Sequence, residues 1–592
     1  MITARKEQLG KLAFATASAV SVISVLSIFA FLFARGLPAI SHIGWKEFLL
    51  GRVWSPDRED TYTSAVLGSY GILPMIAGTG AVTLGALLFG GVAGVFTSVF
   101  LVYFCPARHR KRFSAVIHLL AGIPSVVYGF FGIVFLLPML SRVAPNNGSG
   151  LLAASLILGL MILPTVVSLS STALLAVPES YRHASIALGA TRTETIFRVA
   201  FPAARSGITT SLILGIGRAL GETMAVVMVA GNAPIFPSGL FRSFRVMTAN
   251  IVMEMGYAGD LQEGTLVATG VVLFVFVLIV NLLFHRFSHR AVQQISRTTK
   301  QKRRRLIPSS LAYFKSVPLI GRILAYAFGL STLLSLILIL GFLCIKGLPP
   351  LLTNSNLIFG RFEFGSHQIT LLPAIVTTLM VLLLSISLAI PIGVMSAIFL
   401  HEYAKPKHPA VRILRLSIDI LSGVPSIVYG LFGMIAFLPI FGGTSSILAG
   451  SLTISMMLLP TVVRATEESL SAVDNSLRAG SLALGAGKLR TVIRIVIPAA
   501  APGILSAVIL SMGRVISESA PFLYTTGSVI SAIPRSYLDS GATLAVSLYQ
   551  LSGEGWYQSE AYAAAVILIL VIFCFNALAE HLSEHLLRRT QQ

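Results

Sequence analysis

Charge is scarce in this sequence. Only 11% of its 592 residues are Asp, Glu, Lys or Arg, where a soluble domain runs near a quarter. That excludes a soluble enzyme and a disordered tail. Cysteine is rarer still: Cys105, Cys344 and Cys574 stand far apart and none belongs to a CxxC, which excludes a disulfide-stapled secreted domain and a zinc knuckle. No metal site is expected. A phosphate-cradling GxxxxGK[ST] loop is missing as well. Its nearest approach, Gly487-Lys488, is followed by Leu489 and has Leu482 where the first glycine belongs. This chain has no nucleotide site of its own.

What it has instead is apolar length. Mean hydropathy is +0.84, and the runs 12–34, 265–284 and 323–345 contain no charged residue. At ~1.5 Å per residue each such helix crosses ~30 Å of hydrocarbon. Hydropathy predicts twelve spans: 12–34, 69–101, 114–140, 150–176, 207–231, 264–284, 323–345, 369–400, 413–441, 446–466, 503–529 and 560–580. The first follows Arg5, Lys6 and Lys11 and is longer than a signal h-region, so it reads as an uncleaved span.

With the N-terminus in the cytoplasm, the cytoplasmic segments and the span ends bordering them hold 32 Lys and Arg. The external loops hold 10, together with Trp45, Trp54 and Trp556. This bias fixes both termini on the cytoplasmic side. It also accounts for the net charge of +21 without nucleic acid.

The sequence is two copies of one unit. GIPSVVYGFFG (122–132) returns as GVPSIVYGLFG (423–433), and LPTVV (163–167) returns at 459–463. SIALGA (185–190) matches SLALGA (481–486), Pro202 matches Pro498, and GRALGET (217–223) matches GRVISES (513–519). We read a first half over 1–284, a basic cytoplasmic linker over 285–322, and a second half over 323–592. Six spans per half give both copies the same orientation, a parallel repeat about an axis along the membrane normal. The expected fold is an all-α membrane protein of two six-helix bundles around one pathway.

Between spans four and five each half carries a loop of about thirty residues. Gly189 and Gly485 are expected to end one short helix, and Pro202 and Pro498 a second, nine-residue spacer included. Repeated once per half, this makes a docking surface for a two-fold partner. The loops resemble the EAA-loop of permeases in ATP-binding-cassette (ABC) import systems, roughly E-A-A-x3-G-x9-I-x-L-P. The Gly-to-Pro spacing fits in both halves, while His183 and Ala479 stand in place of the opening glutamate.

Arg218 lies eleven residues beyond Gly207, ~17 Å into the bilayer, and Arg514 occupies the same level in span eleven. Each is followed four residues later by a glutamate, Glu222 or Glu518. An arginine at a helix centre costs ~2.5–3.5 kcal/mol on insertion scales, so it faces a cavity or a partner. Spaced i, i+4, each pair is expected on one helix face. A planar guanidinium suits tetrahedral oxyanions; a buried salt bridge locking helices is the alternative. Two Arg and two Glu sum to zero, so the glutamates are expected to hold the arginines and then yield to substrate.

GRALGETMAVVMVAGN (217–232) resembles the corresponding span of the C-type permease of the phosphate-specific transporter, and GRVISESAPFLYTTG (513–527) that of its A-type partner, with SES for the usual GET. The third-span motifs PSVVYGFFG and PSIVYGLFG are also similar to the family's. The resemblance covers nearly the whole chain and implies a natural fusion, C-type before A-type. It implies phosphate passage by Arg218, Glu222, Arg514 and Glu518, and a further anion contact at Arg464, which equally fits a snorkelling anchor.

His118 and Asp419, at equivalent positions, fit a pair across the pseudo-axis or two helix-end polar residues. Pro124 and Pro425 are expected to kink their spans. The implied protein is a permease in a bacterial cytoplasmic membrane, itself no enzyme and without a cofactor. Two ATPase subunits using ATP and an extracytoplasmic phosphate-binding protein are its implied partners. Sulfate, molybdate or phosphonate as cargo, or a gradient-driven secondary transporter, remain alternatives.

Overall fold

The computed structural model describes residues 2–590 apart from 57–67, 145, 302–312, 361–368, 406–407, 422, 531 and 554–556. Trp556 and the middle of the basic linker lie outside the described residues. The first half comprises helices α1 (Ile2–Ile43), α2 (Leu73–Phe104), α3 (Ala107–Ala121), α4 (Ser125–Leu140) and α5 (Leu151–Leu175). It continues with α6 (Glu179–Ala187), α7 (Arg192–Ala203), α8 (Arg205–Gly221), α9 (Met224–Val229), α10 (Met247–Glu254) and α11 (Asp260–Gln301).

The second half repeats the order: α12 (Tyr313–Thr353), α13 (Leu372–Tyr403), α14 (Pro409–Leu421), α15 (Ser426–Phe441) and α16 (Ile447–Ser471). Then come α17 (Asn475–Ala483), α18 (Lys488–Ser517), α19 (Ala520–Thr525), α20 (Leu544–Gly553) and α21 (Gln558–Thr590). Strand pairing among the described residues is a two-residue antiparallel ladder, Trp54–Ser55 with Ser69–Tyr70.

Nine helices among the described residues are long and apolar enough to cross a membrane, or eleven if two bent pairs each count as one. This is an all-α, multi-pass membrane protein. Every expected span meets a helix, but four of the twelve are broken rather than continuous. Span three breaks between α3 and α4, which meet at 93°, and its copy breaks between α14 and α15. The cause is the G-x-P sequence: proline has no N–H to donate and forces the preceding residue out of the helical region. In each copy a buried tyrosine spans the gap, Tyr128 to the Leu120 carbonyl and Tyr429 to the Leu421 carbonyl, both at 3.0 Å.

The prolines of the thirty-residue loops behave differently from one another: the second short helix ends at Pro202 as expected, to within a residue, but not at Pro498. Pro202 lies inside α7, and the chain turns by 67° two residues later, at Ala204. Pro498 ends nothing: α18 runs straight through it from Lys488 to Ser517. Directly before each proline the helix widens to π geometry, over Ile196–Ala200 and Val492–Val496. The altered hydrogen-bond ladder there accommodates a residue without an N–H.

The chain folds into two compact units that interleave the sequence halves. One holds 44–250 and 272–345, the other 1–43, 251–271 and 346–592. The first helix of each half is thus packed within the unit built mainly from the other half. In the unit containing 44–250, Thr97 of α2 and Thr332 of α12 share a hydrogen bond of 2.9 Å, and Phe96 stacks on Phe328 with centroids 5.8 Å apart. In the other unit, Phe14 of α1 meets Tyr403 at 5.8 Å and Phe31 meets Phe432 at 5.4 Å.

Each unit has a central helix, α5 or α16, carrying the LPTVV motif. In hydrocarbon, helices associate through close packing rather than expulsion of water. Val166 accordingly seats against Gly94 of α2, where an added Cβ would come within 2.8 Å, and Val462 against Gly393 of α13, within 2.6 Å. That seating fixes which way the neighbouring threonine, Thr165 or Thr461, faces.

Candidate functional site: paired helix breaks with a guanidinium

Span five is interrupted at its glutamate in both halves. α8 ends at Gly221, and Glu222 has extended backbone (φ −75°, ψ 135°); α18 ends at Ser517, and Glu518 matches it (φ −76°, ψ 142°). Both glutamates therefore stand at helix ends. The expected i, i+4 approach is kept by Arg514 and Glu518 and is absent for Arg218 and Glu222, whose carboxylate turns to the following helix. A break at membrane depth leaves backbone groups that only protein or a polar cavity can satisfy. Thr248 of α10 meets one of them, donating its hydroxyl to the Glu222 carbonyl at 3.1 Å.

The arginines occupy the last turn before each break and find equivalent partners. Arg218 Nη1 donates to Thr165 Oγ1 at 3.0 Å, and Arg514 Nη1 donates to Thr461 Oγ1 at 3.1 Å. Sequence reasoning missed both threonines, although the repeated LPTVV was the signal. The glutamates differ. Glu518 Oε1 lies 3.7 Å from Arg514 Nε, the pairing expected for a resting site. Glu222 instead accepts from the Ala225 N–H at 3.5 Å, and among the described residues no ion pair joins it to Arg218.

Beyond each break stands a hydroxyl residue of helix-capping type that caps nothing. Thr223 and Ser519 are 2% and 1% exposed. Among the described residues no partner meets either hydroxyl. Around each break thus stand a guanidinium bonded to a threonine, a carboxylate and a buried hydroxyl; of these the guanidinium is the group suited to an oxyanion. Arg464 lies three residues past Thr461 on α16, with Nε 3.3 Å from Glu468 Oε1, both side chains well exposed. The side chains of His118 and Asp419 lie outside the described residues, so their pairing is not addressed.

The thirty-residue loops share a second repeated geometry. Gly189 and Gly485 take φ of +87° and +81°, the left-handed turn that a side chain resists. Ser185 bonds Thr195 and Ser481 bonds Thr491, both at 2.9 Å, holding the two short helices together. At the apex Leu188 and Leu484 are 89% and 91% exposed. The loops are anchored by arginines at equivalent positions. Arg182 lies over the Tyr103 ring at 5.9 Å. Arg478 pairs with Glu402 at 3.0 Å and donates to the Leu470 and Val473 carbonyls, each at 2.7 Å. The Ser476 backbone N–H holds the Asp474 carboxyl, which caps α17, below the usual carboxylate range.

Residues 87–293 and 389–590 each match the sequence profile of the binding-protein-dependent transport system inner membrane component. The chain belongs to this family. Its two family segments coincide with the two copies of broken span and glycine-turned loop. A relative from Mycoplasma pneumoniae, described as a phosphate transport system permease protein PstA homolog, is 31% identical over 536 residues, 79% of each chain. The "Probable ABC transporter permease protein YqgH" of Bacillus subtilis is 35% identical over 286 residues, 47% of this chain and 90% of that protein. The phosphate transport system permease protein PstC of Mesorhizobium japonicum is 34% identical, covering 45% of this chain and 84% of its own. The family segment occurring twice makes this a duplicated transport component of the inner membrane.

Proposed function

We propose that this chain is the membrane permease of an ATP-driven importer of inorganic phosphate, a fusion of two permease subunits. The observation that carries the reading is the repeated helix break with Arg218 on Thr165 and Arg514 on Thr461. A guanidinium held by one hydroxyl keeps its remaining N–H edge for a tetrahedral oxyanion. Relatives described as phosphate transport permeases support phosphate as the cargo.

Phosphate released by an extracytoplasmic binding protein passes the two arginines. Glu518, beside Arg514, gives way as the anion arrives, and Glu222 is already turned to its helix cap. Two ATPase subunits, which use the ATP, dock on the Leu188 and Leu484 apices. Their closure is carried through Arg182 to α2 and through Arg478 to α13. Both termini face the cytoplasm. The duplicated, leucine-tipped loops favour this reading over a gradient-driven carrier, which has no use for a docking knob in each half. Uptake of radiolabelled phosphate into vesicles holding the chain with its ATPase and binding protein tests it. ATP-dependent uptake lost in Arg218→Ala and Arg514→Ala supports it; uptake that needs a proton gradient but no ATPase overturns it.

A further inference from the structure

The end of span five remote from the 178–206 loop carries a polar cluster whose residues the second half does not repeat. Asn232 follows Gly231 and sits in the left-handed region, φ +59°, turning its side chain back so that Nδ2 donates to the Val227 carbonyl at 2.7 Å. Arg245 binds on both sides of it: Nε donates to the Asn232 backbone carbonyl at 2.7 Å, and Nη1 to Asn250 Oδ1 at 2.9 Å. These bonds fix both amide orientations. Among the described residues, Asn232 Oδ1 and Asn250 Nδ2 are left buried with no partner, and Asn250 is fully buried.

Orphaned buried amide atoms are costly, and a native structure rarely leaves them without a use. Here they come as a pair of opposite character on residues bonded to one guanidinium. The second half has Ser528, Ala542 and Ser547 at the equivalent positions, so symmetry does not require the cluster. It is tied to the break below it, since α10 carries both Asn250 and the Thr248 that bonds the Glu222 carbonyl.

We propose that Asn232, Arg245 and Asn250 form a subsite for a protonated tetrahedral oxyanion, taking hydrogen phosphate and refusing sulfate. The inference rests on the phosphate reading and deepens it. Arg245 and Asn250 Nδ2 supply positive charge and a donor. Asn232 Oδ1 supplies an acceptor, whose lone pairs repel a bare anionic oxygen but receive a P–OH. Phosphate carries at least one such proton near neutral pH, and sulfate carries none. Both orphan atoms are shielded from solvent, so entry requires the 233–246 segment to lift. That segment is held by Phe244 N–H on the Ala230 carbonyl at 3.2 Å and Ala233 N–H on the Ser243 hydroxyl at 3.0 Å.

The test is equilibrium binding of radiolabelled phosphate to the full-length chain in nanodiscs, competed with sulfate. Asn232→Gly keeps the positive φ while removing the acceptor. It should weaken phosphate about tenfold, the worth of one hydrogen bond to a charged group, and let sulfate compete. Asn250→Leu should weaken phosphate without admitting sulfate. Asn232→Ser, the second half's residue, reads the same quantity where Asn232→Gly gives no monodisperse protein. An unchanged phosphate-over-sulfate preference in the Asn232 variants means the cluster holds an ordered water only, and overturns the subsite. If uptake in the assembled transporter is meanwhile lost in Arg218→Ala, the phosphate reading stands alone; if the unmutated chain neither binds nor imports phosphate, both fall.

Discussion

Arg218 reaches Thr165 across 53 residues of sequence, and Arg514 reaches Thr461 across the same 53. In each case the threonine's position is set by its neighbour, Val166 or Val462, lodged against a glycine that has no room for a Cβ. The arginine that sequence reasoning singles out is thus aimed by a motif that looked like packing.

Replacing Thr165 or Thr461 by valine keeps the shape and removes the acceptor. Phosphate uptake should fall about tenfold in each variant through a raised KM, with assembly intact, because a hydrogen bond to a charged group is worth ~1.5–3 kcal/mol. Thr→Ser should restore most of it. Equal rates in the valine variants would make the contact incidental.

Glu518 and Glu222 should respond unequally. Glu518→Gln removes a carboxylate 3.7 Å from Arg514, so the anion no longer displaces a charge; phosphate should bind more tightly and leave more slowly. Glu222→Gln leaves Arg218 on its threonine and should change uptake less. The comparison is one of KM and kcat measured side by side.

Leu188→Ser and Leu484→Ser remove the exposed apices of the two loops. Retention of the ATPase on an affinity column loaded with this chain should weaken in each and vanish in the double variant. The phosphate-binding step in nanodiscs should be untouched.

Tyr128→Phe and Tyr429→Phe remove one of two hydrogen bonds from the Leu120 and Leu421 carbonyls at the span-three breaks, leaving those from the Ile123 and Val424 N–H groups. Each should cost about 1 kcal/mol, read as a lowered unfolding temperature in detergent. No change in either would mean that water takes the place of the tyrosine.

Asp474 gives a pH dependence to one loop only. Its folded-state ionisation lies below the ordinary value of 3.8, so the cap stabilises α17 fully above that value. The contribution is lost as the pH falls through the lower, folded value. Amide protection factors at Ser476 and Leu477, corrected for the slower intrinsic exchange in acid, should fall on acidification, and Asp474→Asn should remove the dependence. The first half, with Pro178 at the equivalent place, should show none.

The fold's outline was legible because apolar runs, charge bias and duplicated motifs report on long helices directly. Hydropathy could not see the breaks, since Glu222 and Glu518 interrupt helices whose flanks are equally apolar. Thr223 and Ser519, cap-type residues inside an apolar run, were the available signal. Pro498 misled in the opposite direction: widened π geometry just before it lets the helix pass, a detail no residue pattern announces. Thr165 and Thr461 escaped notice because a short polar side chain in a membrane helix reads the same whether it packs or binds.

The interleaving of the units bears on how the chain is made. The unit containing 44–250 also needs residues up to 345, so it cannot close until the first helix of the second half has left the ribosome. Helix α1, synthesised first, must wait longer still, for α13 and α16. Joining the halves in one polypeptide guarantees that each waiting surface meets its own complement and not that of a neighbouring copy.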